Sequence, residues 1–159
     1  IEKLKKIVNL EKENPLKEVI QEDLILYDLD TSMKSDVIDK LVEILQDKGY
    51  VDERFLLSVY KRESMGATIL KGGIAIPHGY PEHVTKPAIA IAKLKEPIYW
   101  EGEFKADLVF MIALKEDSKD YMFYLYKVMT DEKIIDALKR AKSPTQIKDI
   151  ILKNTISAE

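Results

Sequence analysis

Leu108-Val109-Phe110-Met111-Ile112-Ala113-Leu114 is a run without a single polar side chain. A strand with one wet face would alternate apolar and polar residues, so a continuous apolar run suits a central strand covered on both faces. Working outward, Ala88 to Leu94 is apolar with β-branched residues at alternate positions, and Leu24 to Leu29 and Ile74 to Ile76 read as shorter strands. Helical patterns flank them. Thr31 and Ser32 are placed to cap a helix with Val37, Ile38, Leu41, Val42 and Leu45 on its apolar face, closed by Gly49. A second helix carries Phe55, Leu56, Val59 and Tyr60 and ends near Met65-Gly66. Towards the end, Tyr121, Leu125, Val128 and Met129 keep helical spacing, Asp131 is a cap for Ile134, Ile135 and Leu138, and Ser143-Pro144 opens a last helix with Ile147, Ile150 and Ile151. The expected fold is α/β, a three-layer sandwich with a mixed central β-sheet and helices on both faces.

The chain has 159 residues, 46% hydrophobic and 33% charged, with a formal net charge of −3. That is one domain's worth of ordinary globular composition. Residues 15–159 are expected to form this domain. Residues 1–14, with Leu4, Ile7 and Val8 at helical spacing, read as a helical lead-in or linker that Pro15 ends. No basic stripe marks a direct nucleic-acid partner, and no apolar run is long enough to span a bilayer. With Cys 0 there is neither disulfide nor thiolate chemistry, which fits a reducing cytoplasm. The chain begins at Ile1 rather than methionine, which fits a piece of a longer protein.

The chemistry concentrates in Gly72-Gly73-Ile74-Ala75-Ile76-Pro77-His78-Gly79. Pro77 holds the chain extended into a loop, and Gly79 leaves room for a close approach. A neutral imidazole has a free ring-nitrogen lone pair, so His78 can attack phosphorus if its other nitrogen is fixed by a carbonyl. Arg62, in the last turn of a predicted helix, offers a planar double donor for phosphoryl oxygens. Such a transfer needs no metal or cofactor. The plainer alternatives are a surface histidine and an exposed helix-end arginine. His83 reads as a solvated loop residue, and a His78/His83 metal pair lacks a third ligand.

The run Arg62-Glu63-Ser64-Met65-Gly66-Ala67-Thr68 followed by Gly73-Ile74-Ala75-Ile76-Pro77-His78-Gly79 closely resembles the mannitol/fructose-type (type 2) enzyme IIA domain of the bacterial phosphoenolpyruvate-dependent sugar phosphotransferase system. Ala88 to Ala92, Leu94-Lys95-Glu96-Pro97-Ile98, Leu108-Val109-Phe110 and the Asp131 to Leu138 segment support it, over about residues 18 to 153. The resemblance implies that His78 accepts a phosphoryl group from the histidine phosphocarrier HPr and passes it to a IIB domain, with Arg62 as the active-site arginine. One position departs from the family pattern. Many members carry a second histidine where this chain has Tyr121, followed by Met122; tyrosine can donate a hydrogen bond there but cannot become cationic near neutral pH. Tyr121 is thus a further candidate site residue, with core packing as its alternative.

Two functions follow from the resemblance. One is a phosphoryl carrier in sugar uptake, docking partners through an apolar skirt of Ile69, Leu70, Ile76 and Tyr80. The other is the phosphorylation-responsive sensor domain of a transcriptional antiterminator or activator, joined to upstream regulator domains in the same chain. The charged lead-in, the missing methionine and Tyr121 favour the second without deciding it.

Overall fold

The computed structural model describes residues 15–155; residues 1–14, expected as the lead-in, and 156–159 lie outside the described residues. The strands are β1 (Ile25–Leu29), β2 (Ile69–Leu70), β3 (Ile74–Ala75), β4 (Ala88–Glu101) and β5 (Phe104–Ala113). The described helices are α1 (Leu16–Val19), α2 (Lys34–Asp47), α3 (Phe55–Glu63), α4 (Lys119–Thr130), α5 (Glu132–Arg140) and α6 (Pro144–Lys153), with 3₁₀ turns at Glu22–Leu24 and Pro81–His83. One mixed sheet has the order β1-β4-β5-β3-β2. β5 is its centre, antiparallel to β4 on one side and parallel to β3 on the other.

The sheet separates two apolar layers. Ala88, Ala90, Ala92, Val109 and Met111 face α2 and α3, packing with Val37, Ile38, Leu41, Phe55 and Val59. Ile89, Ile91, Leu108, Phe110 and Ile112 face α1, α4, α5 and α6. The expected three-layer sandwich is therefore the fold. Along β4, alanines opposite large α2 side chains alternate with isoleucines on the other face, so small and large residues divide the space between layers. Each fully buried isoleucine contributes about 1.5–3 kcal/mol.

Several boundaries differ from expectation, each for a local reason. β4 continues past Leu94 to Glu101 and turns through Gly102, at φ 56°, into β5. Pro97 lies where the β4–β5 register shifts between Lys93 and Ile98, so its missing N–H breaks no regular ladder. The short strand is Ile74–Ala75, and Ile69–Leu70, unassigned from sequence, pairs with it across Gly72 and Gly73, both at positive φ. Lys139 Nζ donates to the Gly72 carbonyl and sits 3.3 Å from Asp107 Oδ1, which pins that turn to the next layer. Thr31 and Ser32 do not cap α2: Met33 is the cap residue, and the Thr31 hydroxyl accepts from Met33 N at 3.2 Å. α3 ends at Glu63 rather than at Met65-Gly66.

Other signals held. At Gly49, φ 82°, Tyr50 N donates to Leu45 O at 2.9 Å and Gly49 N to Gln46 O at 3.0 Å, a Schellman closure of α2. Asp131 Oδ1 accepts from Lys133 N and Ile134 N, and Ser143 Oγ accepts from Gln146 N, so α5 and α6 start where their caps predicted.

The alanine face of β4 gives a direct test of this layer spacing. Ala90→Leu, although more apolar, is expected to destabilise the domain by about 1–3 kcal/mol through overpacking against α2. A urea midpoint equal to or above wild type would contradict it.

Candidate functional site

β3 is short, but the chain stays beside β5 after it ends. Ile76 N donates to Thr68 O at 2.9 Å, Ile112 N donates to Pro77 O at 2.9 Å, and His78 bridges Ile112 in the parallel sense. Pro77 lacks an N–H, yet the ladder here asks only for its carbonyl. The imidazole thus emerges at the C-terminal ends of the parallel strands β3 and β5, where open α/β sheets bind ligands. His78 is half-buried, with Nδ1 3.4 Å from Ile76 O.

Gly79 has a reason other than the expected approach of a phosphate. A Cβ there would lie 2.5 Å from Phe55 Cε1 and 2.7 Å from Ser58 Oγ, so it is α3 that approaches closely. Buried Ser58 Oγ accepts from Tyr80 N at 2.9 Å and donates to Phe55 O at 2.7 Å. Sequence reading missed Ser58, because nothing in its helical context marks a small polar residue as the grip on a loop twenty residues away. His83 is likewise not a free loop residue. Its Nδ1 lies 3.1 Å from Asp52 Oδ2, and Asp52 N donates to His83 O at 2.9 Å, tying the Pro81–His83 turn to the start of α3. Desolvation pushes the Asp52 carboxyl up, but hydrogen bonds from His83 and the Arg54 amide, with the charges of both residues, hold it below the usual carboxylate range.

Beside His78 lies a cavity of about 490 Å³, walled by Leu70, Ile76, Ile112, Leu114, Met122 and Met129 and edged by Thr68, Ser118 and Tyr126. Arg62 reaches this site through the Gly66–Thr68 loop. Its Nη1 donates to Gly66 O at 2.8 Å and its Nη2 to Thr68 Oγ1 at 3.3 Å. Two of the five guanidinium N–H groups are thereby used, leaving three donors. Arg62 and His78 share no hydrogen bond; Thr68 bonds Arg62 and lines the cavity beside His78. Among the described residues no cluster of three or more His, Asp or Glu side chains could hold a metal ion.

Tyr121 stands apart from this group. It is half-buried against the layer of α1 and α4–α6, and burial, then the charges of Glu18 and Asp117, raise its pKa, so the hydroxyl stays protonated. The cavity wall is made by its neighbour Met122, about 100° round the helix, together with Ser118 and Tyr126 at four-residue spacing. The expected docking skirt also changes. Ile76 is 6% exposed and belongs to the core, whereas Leu57, Met65, Phe123 and Tyr126 are exposed large side chains on or beside α3 and α4.

The family described as "Phosphoenolpyruvate-dependent sugar phosphotransferase system, EIIA 2" matches residues 18–154. The chain belongs to this family. It is similar to the transcriptional regulator ManR of Bacillus subtilis, 36% identical over 107 residues, covering 67% of this chain and 16% of ManR. It is 24% identical over 138 residues to the mannitol-specific phosphotransferase enzyme IIA component of Staphylococcus aureus, covering 85% of this chain and 96% of that protein. A second long relative, the 2-O-alpha-mannosyl-D-glycerate-specific EIIABC component of Escherichia coli, is 34% identical over 124 residues, covering 72% of this chain and 19% of its own length. The chain therefore spans under a fifth of both longer relatives. The crystal structure of IIA mannitol from Escherichia coli superposes with TM-score 0.70 and 25% identity, covering 82% of this chain and 96% of that one. The fold also matches the Escherichia coli IIA of a complex with phosphorylated enzyme IIB, at TM-score 0.74 and 22% identity over 83% of this chain and 95% of that one. The EIIA domain described here thus has relatives among both phosphotransferase components and transcription regulators. Among its described residues no helix is long and apolar enough to cross a membrane.

The grip of α3 on the site loop is testable. Gly79→Ala is expected to cost about 1–3 kcal/mol, because buried Phe55 has no room to move. An unchanged denaturation midpoint would show that the α3–loop contact is looser than described.

Proposed function

We propose that this EIIA domain accepts a phosphoryl group on His78 Nε2 from the phosphohistidine of HPr and passes it to a IIB domain. The observation that carries the reading is the placing of His78 at the open strand ends, its Nδ1 turned to the Ile76 carbonyl, beside a loop that holds Arg62. With the hydrogen on Nδ1, the Nε2 lone pair attacks phosphorus. The P–N bond to the donor's ring breaks as the new P–N bond forms; the leaving nitrogen keeps the electron pair, and with a proton on its other nitrogen the donor ring leaves as neutral imidazole while His78 keeps its Nδ1 hydrogen. The remaining Arg62 donors stabilise charge on the transferring oxygens. No metal or cofactor is invoked; positioning and electrostatics carry the step.

A second reading is a sensor domain of a transcriptional regulator, phosphorylated on the same histidine. What supports it is the similarity to the regulator ManR, 36% identical over 107 residues, on a par with the 34% over 124 residues of the EIIABC component. The chemistry at His78 is shared; the two readings differ in whether the group moves on to IIB or stays to shift an interface. In both, Tyr121 is proposed to seat α4 against the core rather than to touch the phosphoryl group.

Intact-protein mass after incubation with phosphoenolpyruvate, enzyme I and HPr tests the reading. Wild type is expected to gain one acid-labile phosphoryl group, and His78→Ala none while keeping the wild-type circular dichroism. Labelling of His78→Ala would refute it. Addition of IIB then separates the roles: discharge of the label supports the carrier, and retention supports the sensor. Arg62→Ala is expected to slow uptake about 100-fold, whereas Tyr121→Phe should stay within about twofold of wild type, since it removes no cavity-lining group. A rate collapse in Tyr121→Phe would return that hydroxyl to the site.

A further inference from the structure

Glu63 follows Arg62 in the sequence motif, and the transfer chemistry above makes no use of it. It is the last residue of α3 and is 7% exposed. A carboxylate at a helix C-terminus opposes the helix dipole, and burying one is costly unless it is paired. Its partner is Lys34, whose Nζ lies 2.8 Å from Glu63 Oε1. Lys34 is the first residue of α2, again the wrong helix end for its charge. The same ammonium lies 5.2 Å from the ring centroid of buried Trp100 on β4. Glu63 Oε2 is buried and has no hydrogen-bond partner among the described residues.

Stability does not explain this pair. Replacing a buried ion pair by apolar residues is often neutral or favourable. Nor is the pair needed to dock α3 on α2, because Tyr60 Oη already donates to Asp39 Oδ1 at 2.6 Å. What the pair adds is a fixed end to α3, immediately beside Arg62. The far end of the following loop is fixed from the same strand: Glu101, next to Trp100, accepts from Ala67 N. Between these two anchors, Glu63 O accepts from Gly66 N at 3.0 Å and Gly66 O accepts from Arg62; just past the second, Thr68 Oγ1 also accepts from Arg62. The loop is thus stretched between two acidic side chains, with the guanidinium clamped inside it.

We propose that Glu63, through Lys34 and Trp100, and Glu101, through Ala67, are positioning residues that fix the Arg62 guanidinium with respect to His78. The inference rests on the phosphoryl-transfer reading for its consequence but not for its geometry, so it has two readouts. The first is the order of the Arg62 side chain, read as the heteronuclear NOE of its Nε–H by NMR. The second is single-turnover phosphoryl uptake at varied phospho-HPr.

Glu63→Gln keeps the shape and removes the charge; Glu101→Ala removes an exposed acceptor and serves also if Glu63→Gln does not fold. Both are expected to lower the Arg62 NOE. Both should reduce the saturating transfer rate about tenfold with the half-saturating donor concentration unchanged, the signature of misplacement rather than weaker docking. Combined with Arg62→Lys, either should cost less than the product of the single effects, because the residues act as one unit. An Arg62 NOE at the wild-type level in the variants overturns the proposal, whether or not the rate changes. If wild type takes no phosphoryl group, the transfer reading falls, and the clamp is then judged on Arg62 order alone.

Discussion

β5 has no wet face from Leu108 to Ala113, and the domain is arranged around that constraint. A strand buried on both sides requires two covering layers, which α2 with α3 and α1 with α4–α6 provide. It also requires neighbours for both edges of its backbone, since a buried unpaired N–H or C=O costs as much as a lost hydrogen bond. β4 satisfies one edge along nearly its whole length. On the other edge β3 is only Ile74–Ala75, and the remaining demand is met by the loop that follows: Pro77 O takes Ile112 N. The histidine-bearing loop is therefore part of the sheet's own bonding, which explains how a loop residue is held as firmly as a strand residue.

The two helices beside that loop are built differently. α3 meets it through contacts that leave no slack: Phe55 and Ser58 against Gly79, Ser58 against Tyr80 N, and the start of the helix tied to His83 through Asp52. α4 meets the site across a cavity, with Met122 and Met129 on its wall and Phe123 and Tyr126 exposed. Methionine fills irregular space and adapts to what it touches. One side of the site is thus fixed in place by close contacts, and the other is a mainly apolar surface whose methionines can repack.

The sequence exposed the features whose signal is local. The unbroken apolar run of β5, the caps Asp131 and Ser143, and Gly49 each carry their cause within a few residues, and each lies where its chemistry placed it. The Pro-His-Gly motif likewise marked the loop that brings His78 to the strand ends beside the cavity. What stayed hidden depends on tertiary neighbours. Gly79 looks like an opening for a ligand until Phe55 is seen to occupy the space. Ile76 looks like a docking residue until α4 and β5 bury it. Tyr121 and Met122 are adjacent in sequence, and helical spacing alone does not say which of the two faces the cavity. β2 and the continuation of β4 past Pro97 were hidden because short or proline-containing strands owe their existence to the partner strand rather than to their own pattern.

Under the proposed transfer at His78, the site has to meet an electrostatic compromise. The apolar cavity beside His78 lowers the local dielectric, which strengthens every bond to phosphoryl oxygens but raises the cost of bringing a dianion there. A fully exposed arginine would gain little per bond, and a fully committed one would hold the group too tightly to pass it on. Arg62 sits between these limits, with two donors bound to its own loop and three left. Under the proposed clamp its orientation would be settled before a phosphoryl group arrives, so the stabilisation it offers would not be reduced by ordering a flexible side chain. On the proposed transfer, the loop from Arg62 to Thr68 would tune how tightly the phosphoryl oxygens are held, while His78 would supply the bond to phosphorus.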